Sequence, residues 1–214
     1  MLIDRESLWL AETNTYVVAN EAGGLAIIVD APPDPAAVVK LLEKHDLIAA
    51  ALLITHGHID HIGGAGGVVS STGVTAYLHP DDDWLAQDPM TQVRLLFGDA
   101  TPGEFARPEA YTDLADGQVL EIGGLSVEVL HTPGHTPGHC CFRVGEVLFS
   151  GDQLFAGSIG RTDLPGGDYE TLMESMRNKV MTLPDETEVL PGHGPATTLA
   201  RERRSNPFLQ DLNL

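Results

Sequence analysis

The spacing of hydrophobic and polar positions changes several times along the chain, and each change marks an element. Thr15 to Ala19 and Leu25 to Asp30 are runs of β-forming residues on either side of a short segment holding Gly23-Gly24, the pattern of a hairpin. Asp34-Pro35 supplies an N-cap and a first-turn proline for a helix along which Val38, Leu41, Leu42 and His45 recur at helical spacing, and which should stop before Leu47. Ala49 to Ile54 is continuously apolar, as a buried strand is, and it breaks off in Thr55-His56-Gly57-His58-Ile59-Asp60-His61.

The second half repeats the style. Strands are predicted from Val119 to Ile122, Ser126 to Leu130, Cys140 to Val144 and Val147 to Ser150, with turns at Gly123-Gly124 and Gly145. Asp168 caps a predicted helix carrying Leu172, Met176, Val180 and Leu183, and Glu188 to Leu190 reads as a last short strand. Between the halves, Asp99 to Asp113 contains Pro102 and Pro108 but no periodicity, so it is expected to be a long surface loop and a candidate site rim. No Pro/Ser-rich linker separates the blocks. The simplest solution is α/β: two sheets packed face to face with helices outside, a four-layer sandwich forming a single domain over residues 1–214.

Composition narrows the function. Apolar residues at 43% and charged residues at 20% exclude a disordered chain, a collagen and a coiled coil. Thirty-one acidic against twelve basic side chains leave a net charge of −19, which would repel a nucleic-acid backbone. Asp4, Arg5 and Glu6 interrupt the region a signal peptide would need, and the longest apolar run, Leu47 to Ile54, is too short for a membrane span. A soluble cytoplasmic protein without membrane partners is expected, and its oligomeric state is open. The adjacent Cys140 and Cys141 cannot form an ordinary disulfide, should face opposite sides of a strand, and are assigned no catalysis.

Six of the nine histidines fall in two groups, His56, His58 and His61, then His131, His135 and His139. In an extended segment His56 and His58 face the same way, while Asp60 and His61 turn onto the following helix and address a neighbouring point, so one peptide can serve two metals. Further ligands are offered by three glycine turns after strands: Gly134-His135, Gly151-Asp152 and Gly192-His193. Asp152 is the natural bridge, one carboxylate oxygen per ion, which holds two metals ~3.5 to 4 Å apart. A closed structural zinc site would be richer in cysteine. His45 and His79 read as ordinary solvated or core histidines. His131 and His139 should support a ligand or stabilise a turn rather than bind metal, and Asp30 is balanced between supporting a ligand and capping a loop.

The pattern His56-x-His58-x-Asp60-His61, followed by Gly134-His135, Gly151-Asp152 and Gly192-His193, resembles the metallo-β-lactamase superfamily. Within it, His131-Thr-Pro-Gly-His-Thr-Pro-Gly, Phe149-Ser-Gly-Asp-Gln-Leu-Phe, Gly160-Arg-Thr-Asp, Leu190-Pro-Gly-His-Gly and Arg201-Glu-Arg-Arg-Ser-Asn-Pro-Phe resemble small bacterial proteins of the glyoxalase II type, over nearly the whole chain. The resemblance implies an αββα sandwich with metals at one edge between the sheets. It implies two divalent metal ions per chain, zinc ahead of iron or manganese: His56, His58 and His135 on the first, Asp60, His61 and His193 on the second, and Asp152 between them.

The implied reaction is hydrolysis of a small-molecule acyl thioester, such as an S-2-hydroxyacyl thiol, through a metal-bridging hydroxide, with Asp60 as the catalytic side chain. A thiolate leaves with little protonic help, whereas an amine needs a strong acid that the motifs do not offer. Two departures bear on the thiol carrier. The C-terminal helical domain of larger glyoxalase II enzymes is not expected here, and Arg161-Thr162 stands where those enzymes resemble a Lys/Tyr-bearing loop. Arg161 is a candidate for binding a substrate carboxylate through its planar guanidinium. Arg201, Arg203 and Arg204 are expected on an exposed helix face, pairing with Glu202 and nearby acids. The alternatives are a persulfide dioxygenase with one iron on His56, His135 and Asp152, and a metal-binding protein without catalysis.

Overall fold

In the computed structural model, which describes residues 1–210, an antiparallel meander opens the chain. β1 (Leu2–Leu8), β2 (Thr13–Ala19) and β3 (Leu25–Val29) pair in sequence, with Gly23 in the left-handed region at the hairpin that the sequence predicts. Strands β4 (Ile48–Leu53), β5 (Thr75–Leu78) and β6 (Thr112–Asp113) then add in parallel, which requires a crossover before each of them, and complete a six-stranded sheet in the order β1-β2-β3-β4-β5-β6. Helix α1 (Pro35–Glu43) connects β3 to β4, and its Asp34 side chain accepts from the Ala37 amide. Between β4 and β5 lie α2 (Ile59–Ile62) and α3 (Ala65–Thr72). Between β5 and β6 lie α4 (Asp83–Gln87) and α5 (Pro89–Leu96).

The second sheet uses β7 (Val119–Ile122), β8 (Leu125–His131), β9 (Cys140–Val144), β10 (Val147–Gly151), β13 (Glu188–Pro191) and β14 (Thr197–Thr198) in the order β14-β13-β10-β9-β8-β7. A two-stranded ribbon, β11 (Leu154–Phe155) with β12 (Ser158–Ile159), comes directly after β10. Helices α6 (Tyr169–Asn178) and α7 (Leu199–Ser205) belong to this half.

Alternation of side chains sorts the strands into layers. Tyr16, Val18, Ile27 and Val29 join Val127, Val129, Phe142 and Phe149 between the sheets, while Val17, Ala19, Ala26 and Ile28 pack outward with α1 residues Val38, Leu41 and Leu42. Cys140 faces the inter-sheet core and Cys141 the α6 side, as opposite faces of a strand require. The four-layer αββα sandwich is therefore the observed fold.

Several boundaries differ from expectation. β1 escapes prediction because its middle is Asp4-Arg5-Glu6, which suits an edge strand with a wet face. His45 lies past the end of α1, where its Nε2 meets Asp4 Oδ2 at 2.7 Å. α6 stops at Asn178; Val180 sits in a 3₁₀ turn after it and Leu183 beyond that, although Val180 stays buried in the same core. β14 comes after the strand expected to be last. The short helices α3 to α5 carry too weak a periodicity to predict. α3 contains Gly66, where a Cβ would stand 2.5 Å from the Ala106 carbonyl oxygen, so a small residue there lets the 98–111 loop pack against the helix.

Glu202 also departs from its expected pairing. It is buried, and its carboxylate accepts from Thr197 Oγ1 at 2.6 Å, Gly157 N at 2.8 Å and Asn206 Nδ2 at 2.9 Å, while Arg203 instead pairs with Asp185 and donates to the Met181 and Leu183 carbonyls. Removing the carboxylate strands donors on three segments, at Gly157, Thr197 and Asn206. Glu202→Ala is expected to lower unfolding free energy by about 3 kcal/mol in urea, with a loss below about 0.5 kcal/mol counting against this anchoring role. No helix among the described residues is long and apolar enough to cross a membrane.

Candidate metal centre

The metal-ligand candidates arrive on turns after strands and on the short helix α2. The end of β4 delivers His56 and His58; α2, which begins immediately after His58, turns Asp60 and His61 toward the same edge while burying Ile59 and Ile62. The β8–β9 loop brings His135, the end of β10 brings Asp152, and the segment after β13 brings His193. Close approach sets the residue type at Gly192: a Cβ there would lie 2.3 Å from Asp152 Oδ1 and 2.6 Å from His61 Cε1.

Seven side chains converge into overlapping groups whose donor atoms lie within 4.8 Å of one another: His56, His58 and His135; His56, His61 and Asp152; Asp60, His61 and His193. Asp152 stands between them, with Oδ1 3.3 Å from His61 Nε2 and Oδ2 3.5 Å from His135 Nε2 and 3.6 Å from His193 Nε2.

The hydrogen-bond partners show that this set fits a cation. The His135 Nδ1–H donates to the Arg161 carbonyl at 2.7 Å, which leaves Nε2 as a lone pair. Thr55 Oγ1 donates to Asp30 and so accepts from His56 Nδ1 at 3.0 Å, leaving His56 Nε2 as a second lone pair. These two lone pairs face each other at 3.2 Å with no proton assigned between them. Asp152 Oδ1 is buried without a hydrogen-bond partner. A divalent ion among His56, His58 and His135 would satisfy the facing nitrogens, and a cation beside His61 would satisfy Asp152 Oδ1.

Electrostatics divides the site. Burial pushes the His58 imidazole down to about 3, with His135 adding to the shift, and drives His56 far below its ordinary value, so both are neutral and ligand-ready. Burial also works against charge on His61, but Asp60, Asp152 and Asp30 surround it and hold its proton well above the ordinary range. Three carboxylates around one imidazole mark a place where positive charge is favoured. Burial would raise Asp60 and Asp152, yet His61 and His193 together, with His135 also acting on Asp152, outweigh it and keep both carboxyls below the usual range.

Groups beyond the ligands hold them in place. Asp30, with φ of 62°, accepts from the Thr55 amide at 2.7 Å and meets His61 Nδ1 at 2.8 Å, so it both caps the loop and orients a ligand. Thr13 Oγ1 donates to Asp60 Oδ2 at 2.9 Å, and Asn14 ties β2 to the His193 turn through bonds to the Pro191 and Gly194 carbonyls. Asp82 is fully buried and accepts from Gly57 N at 2.8 Å, Thr136 Oγ1 at 2.7 Å and Gly138 N at 2.6 Å, joining the turn that carries His58 to the loop that carries His135. Sequence reasoning missed Thr13, Asn14, Thr55 and Asp82. The Pro80-Asp-Asp-Asp context of Asp82 reads as a helix start and gives no hint of a long-range partner.

Other expectations resolve plainly. His139 Nε2 accepts from the Asp152 amide at 3.1 Å, and His131 donates to the Pro137 carbonyl at 2.8 Å while stacking on His79 with ring centroids 3.9 Å apart. His79, Asp81 and His131 form a further group, but parallel stacked rings aim their lone pairs side by side rather than at one point. Arg161 reaches the cavity, yet its guanidinium fork is already held by Asp163 through two bonds of 2.7 Å.

A cavity of about 450 Å³ opens over the ligands, walled by Leu96, Phe97, Phe155, Ile159 and Leu164. Its rim comes from the end of α5 and from Ala11 rather than from the 99–113 loop, which contributes Phe105 behind Trp9, itself edge-on to Phe97 at 4.7 Å. A larger surface groove of about 560 Å³, along Met1, Arg5 and Glu188, touches none of the ligands, so volume alone points to the wrong place.

Two stacked six-stranded sheets, with histidine and aspartate ligands gathered at their common edge, define a metallo-hydrolase type of site. The chain belongs to the metallo-beta-lactamase superfamily, whose family model matches residues 9–193. Hydroxyacylglutathione hydrolase GloC of Haemophilus influenzae is 39% identical over 186 residues, covering 86% of this chain and 87% of that protein. The crystal structure of the BLEG-1 B3 metallo-beta-lactamase matches with a TM-score of 0.89 at 39% identity, over 97% of this chain and 99% of that one. TTHA1623, solved in a di-iron-bound form, matches with a TM-score of 0.85 at 39% identity, over 96% of this chain and all of its own.

Proposed function

We propose that the protein is a metal-dependent hydrolase of small acyl thioesters, working with two divalent cations. The observation that carries this reading is Asp152, a carboxylate with an unpartnered buried oxygen, standing between two ligand groups under an open cavity. Divalent cations bound there would polarise a carbonyl and acidify water.

The chain's own residues supply the rest. His56, His58 and His135 would hold one cation and Asp60, His61 and His193 the other, with Asp152 near enough to both sets to serve each. Asp60 is kept ionised and aimed by Thr13, so it can ligate or accept a proton. The side chains that wall the cavity are apolar apart from the ligands and Arg161, and Arg161 is paired, so no poised acid faces a leaving group. That suits a thiolate, which departs unprotonated, better than an amine. The likeness to GloC supports the same substrate class. For Arg161 to bind a substrate carboxylate, the Asp163 pair would have to open.

A second reading, β-lactam hydrolysis, is favoured by the likeness to BLEG-1. A single-iron dioxygenase would need only His56, His135 and Asp152, and the gathering of Asp60, His61 and His193 supports the two-cation hydrolase instead. Iron stands beside zinc as a candidate metal, given the di-iron form of TTHA1623.

One sample tests these readings together. Elemental analysis after loading is expected to give about two metal equivalents per chain, and chelation to abolish hydrolysis of S-lactoyl and S-acetyl thioesters. One equivalent regardless of metal, with oxygen uptake on a persulfide, would move the assignment to the dioxygenase. Faster turnover of a cephalosporin than of any thioester would move it to the lactamase. A loaded protein inert toward every ester and thioester would leave only metal binding.

A further inference from the structure

The cavity over the ligands has a side limb. It opens beside His58, shares His58, Leu96 and Leu164 with the main cavity, and encloses about 110 Å³ between α4, α5 and the segment after Arg161. Its apolar walls are Trp84, Leu85, Leu95, Leu96, Leu164 and Pro165.

Gln92, Thr91 and His58 also line the limb, and each makes hydrogen bonds directed away from it. Gln92 accepts from the Ile59 amide at 3.1 Å and donates to the Gly57 and Leu85 carbonyls, both at 2.9 Å. Thr91 Oγ1 donates to Asp88 at 2.7 Å, and His58 Nδ1 is turned to His135 at 2.9 Å. Trp84 Nε1 and His58 Nε2 have no hydrogen-bond partner among the described residues, but the surface that lines the limb is apolar, so a hydroxyl placed in it would lose its water without replacement. At about 30 Å³ per small group, it holds roughly four methylene-sized units.

We infer that this limb is a substrate subsite for a short apolar group, four carbons or a phenyl ring in size, joined directly to the reacting thioester. The inference rests on the hydrolase reading and narrows it. Continuity through His58 places the group next to the metal ligands, so it belongs to the molecule being hydrolysed and not to a separate ligand. Trp84 and Leu95 are 47% and 66% exposed, although they line the limb, which leaves apolar surface for the substrate to cover. The apolar group could belong to the acyl side or to the thiol side, and the shared chemistry is the same. The small polar acyl group of an S-lactoyl thioester would leave the limb unfilled.

Two homologous series separate the sources. In one, acetyl, butyryl and hexanoyl thioesters of N-acetylcysteamine vary the acyl group. In the other, S-acetyl ethanethiol, butanethiol and benzyl mercaptan vary the thiol. In whichever series enters the limb, kcat/KM is expected to rise roughly fourfold per methylene and to level off after about four carbons. Leu95→Asp and Leu164→Asn should each flatten that slope, reducing the ratio of longest to shortest substrate about tenfold or more. Leu95 is exposed enough for its variant to fold.

A binding arm stands apart from catalysis. Benzyl alcohol titrated into the metal-free protein should change tryptophan fluorescence saturably, and the Leu95→Asp variant should lose the response. If no thioester is turned over but benzyl alcohol binds and the variant abolishes it, the hydrolase reading fails while the apolar site stands. Flat slopes in both series, or benzyl alcohol binding equally to wild type and variant, overturn the subsite.

Discussion

Asp152→Ala is expected to reduce kcat/KM on any thioester substrate by on the order of 10³-fold or more and to lower metal content at both positions. The carboxylate lies 3.3 Å from His61 Nε2 and 3.5 Å from His135 Nε2, so one substitution removes a ligand from each group. His193→Ala makes the contrast, because its Nε2 approaches Asp60 at 3.2 Å and His61 at 3.4 Å but is not grouped with His56 or His58. That variant should keep close to one equivalent of metal. Elemental analysis of both variants beside wild type reads the difference. An Asp152→Ala protein holding two equivalents would show that Asp152 does not bridge.

Asp82→Ala is expected to cost about 3 to 5 kcal/mol in the metal-free protein, measured in urea with chelator present so that metal linkage does not contribute. Three donors lose their acceptor together: the Gly57 amide, the Gly138 amide and the Thr136 hydroxyl. Burial pushes the Asp82 carboxyl upward while those donors pull it back, so its charge is tolerated only because all three are present. The functional effect should be lopsided. His58 and His135 stand on the two segments Asp82 joins, whereas Asp60 and His193 are held by Thr13 and by the Asn14 bonds to the 191–194 turn. Metal affinity should therefore fall at the His56–His58–His135 group, by about 10- to 100-fold, with a smaller change at the other. Equal losses at both groups would mean that Asp82 stabilises the domain without positioning either ligand set.

The parts of the structure that are legible in the sequence are those with short-range signals. The buried strands after Gly24 and before Thr55 announce themselves by continuous apolar runs, and Asp34-Pro35 and Asp168 mark helix starts that the structure confirms through their capping bonds. The ligand candidates are legible because His56, His58, His135, Asp152 and His193 each stand beside a glycine after a strand and Asp60-His61 follow two residues on from His58, and the structure brings all seven together. What escapes depends on partners far along the chain. β1 is polar because one face is wet, and its identity comes from pairing with β2. Glu202 reads as a surface acid among arginines, and only the fold turns it inward to Thr197 and Gly157. Arg161 stands out in the sequence for its planar fork, and Asp163, two residues later, occupies it.

The bonds from Asn14 to Pro191 and Gly194 bear on how the protein is made. They join positions 177 and 180 residues apart, and Thr13 bridges His193 in the same place. During synthesis the first sheet can pair β1 to β4 early, from neighbouring segments, and α1 can dock on it. Thr13 can already donate to Asp60, but the Asn14 side chain must wait, unsatisfied, until residues 191–194 have left the ribosome. Loop closure over that span is entropically expensive and comes late in folding. A nascent or truncated chain ending before residue 193 can therefore bury much of its apolar surface and gather His56, His58 and His135 while lacking the second ligand group, so a full complement of metal reports that the 191–194 turn has been made and has docked on β2.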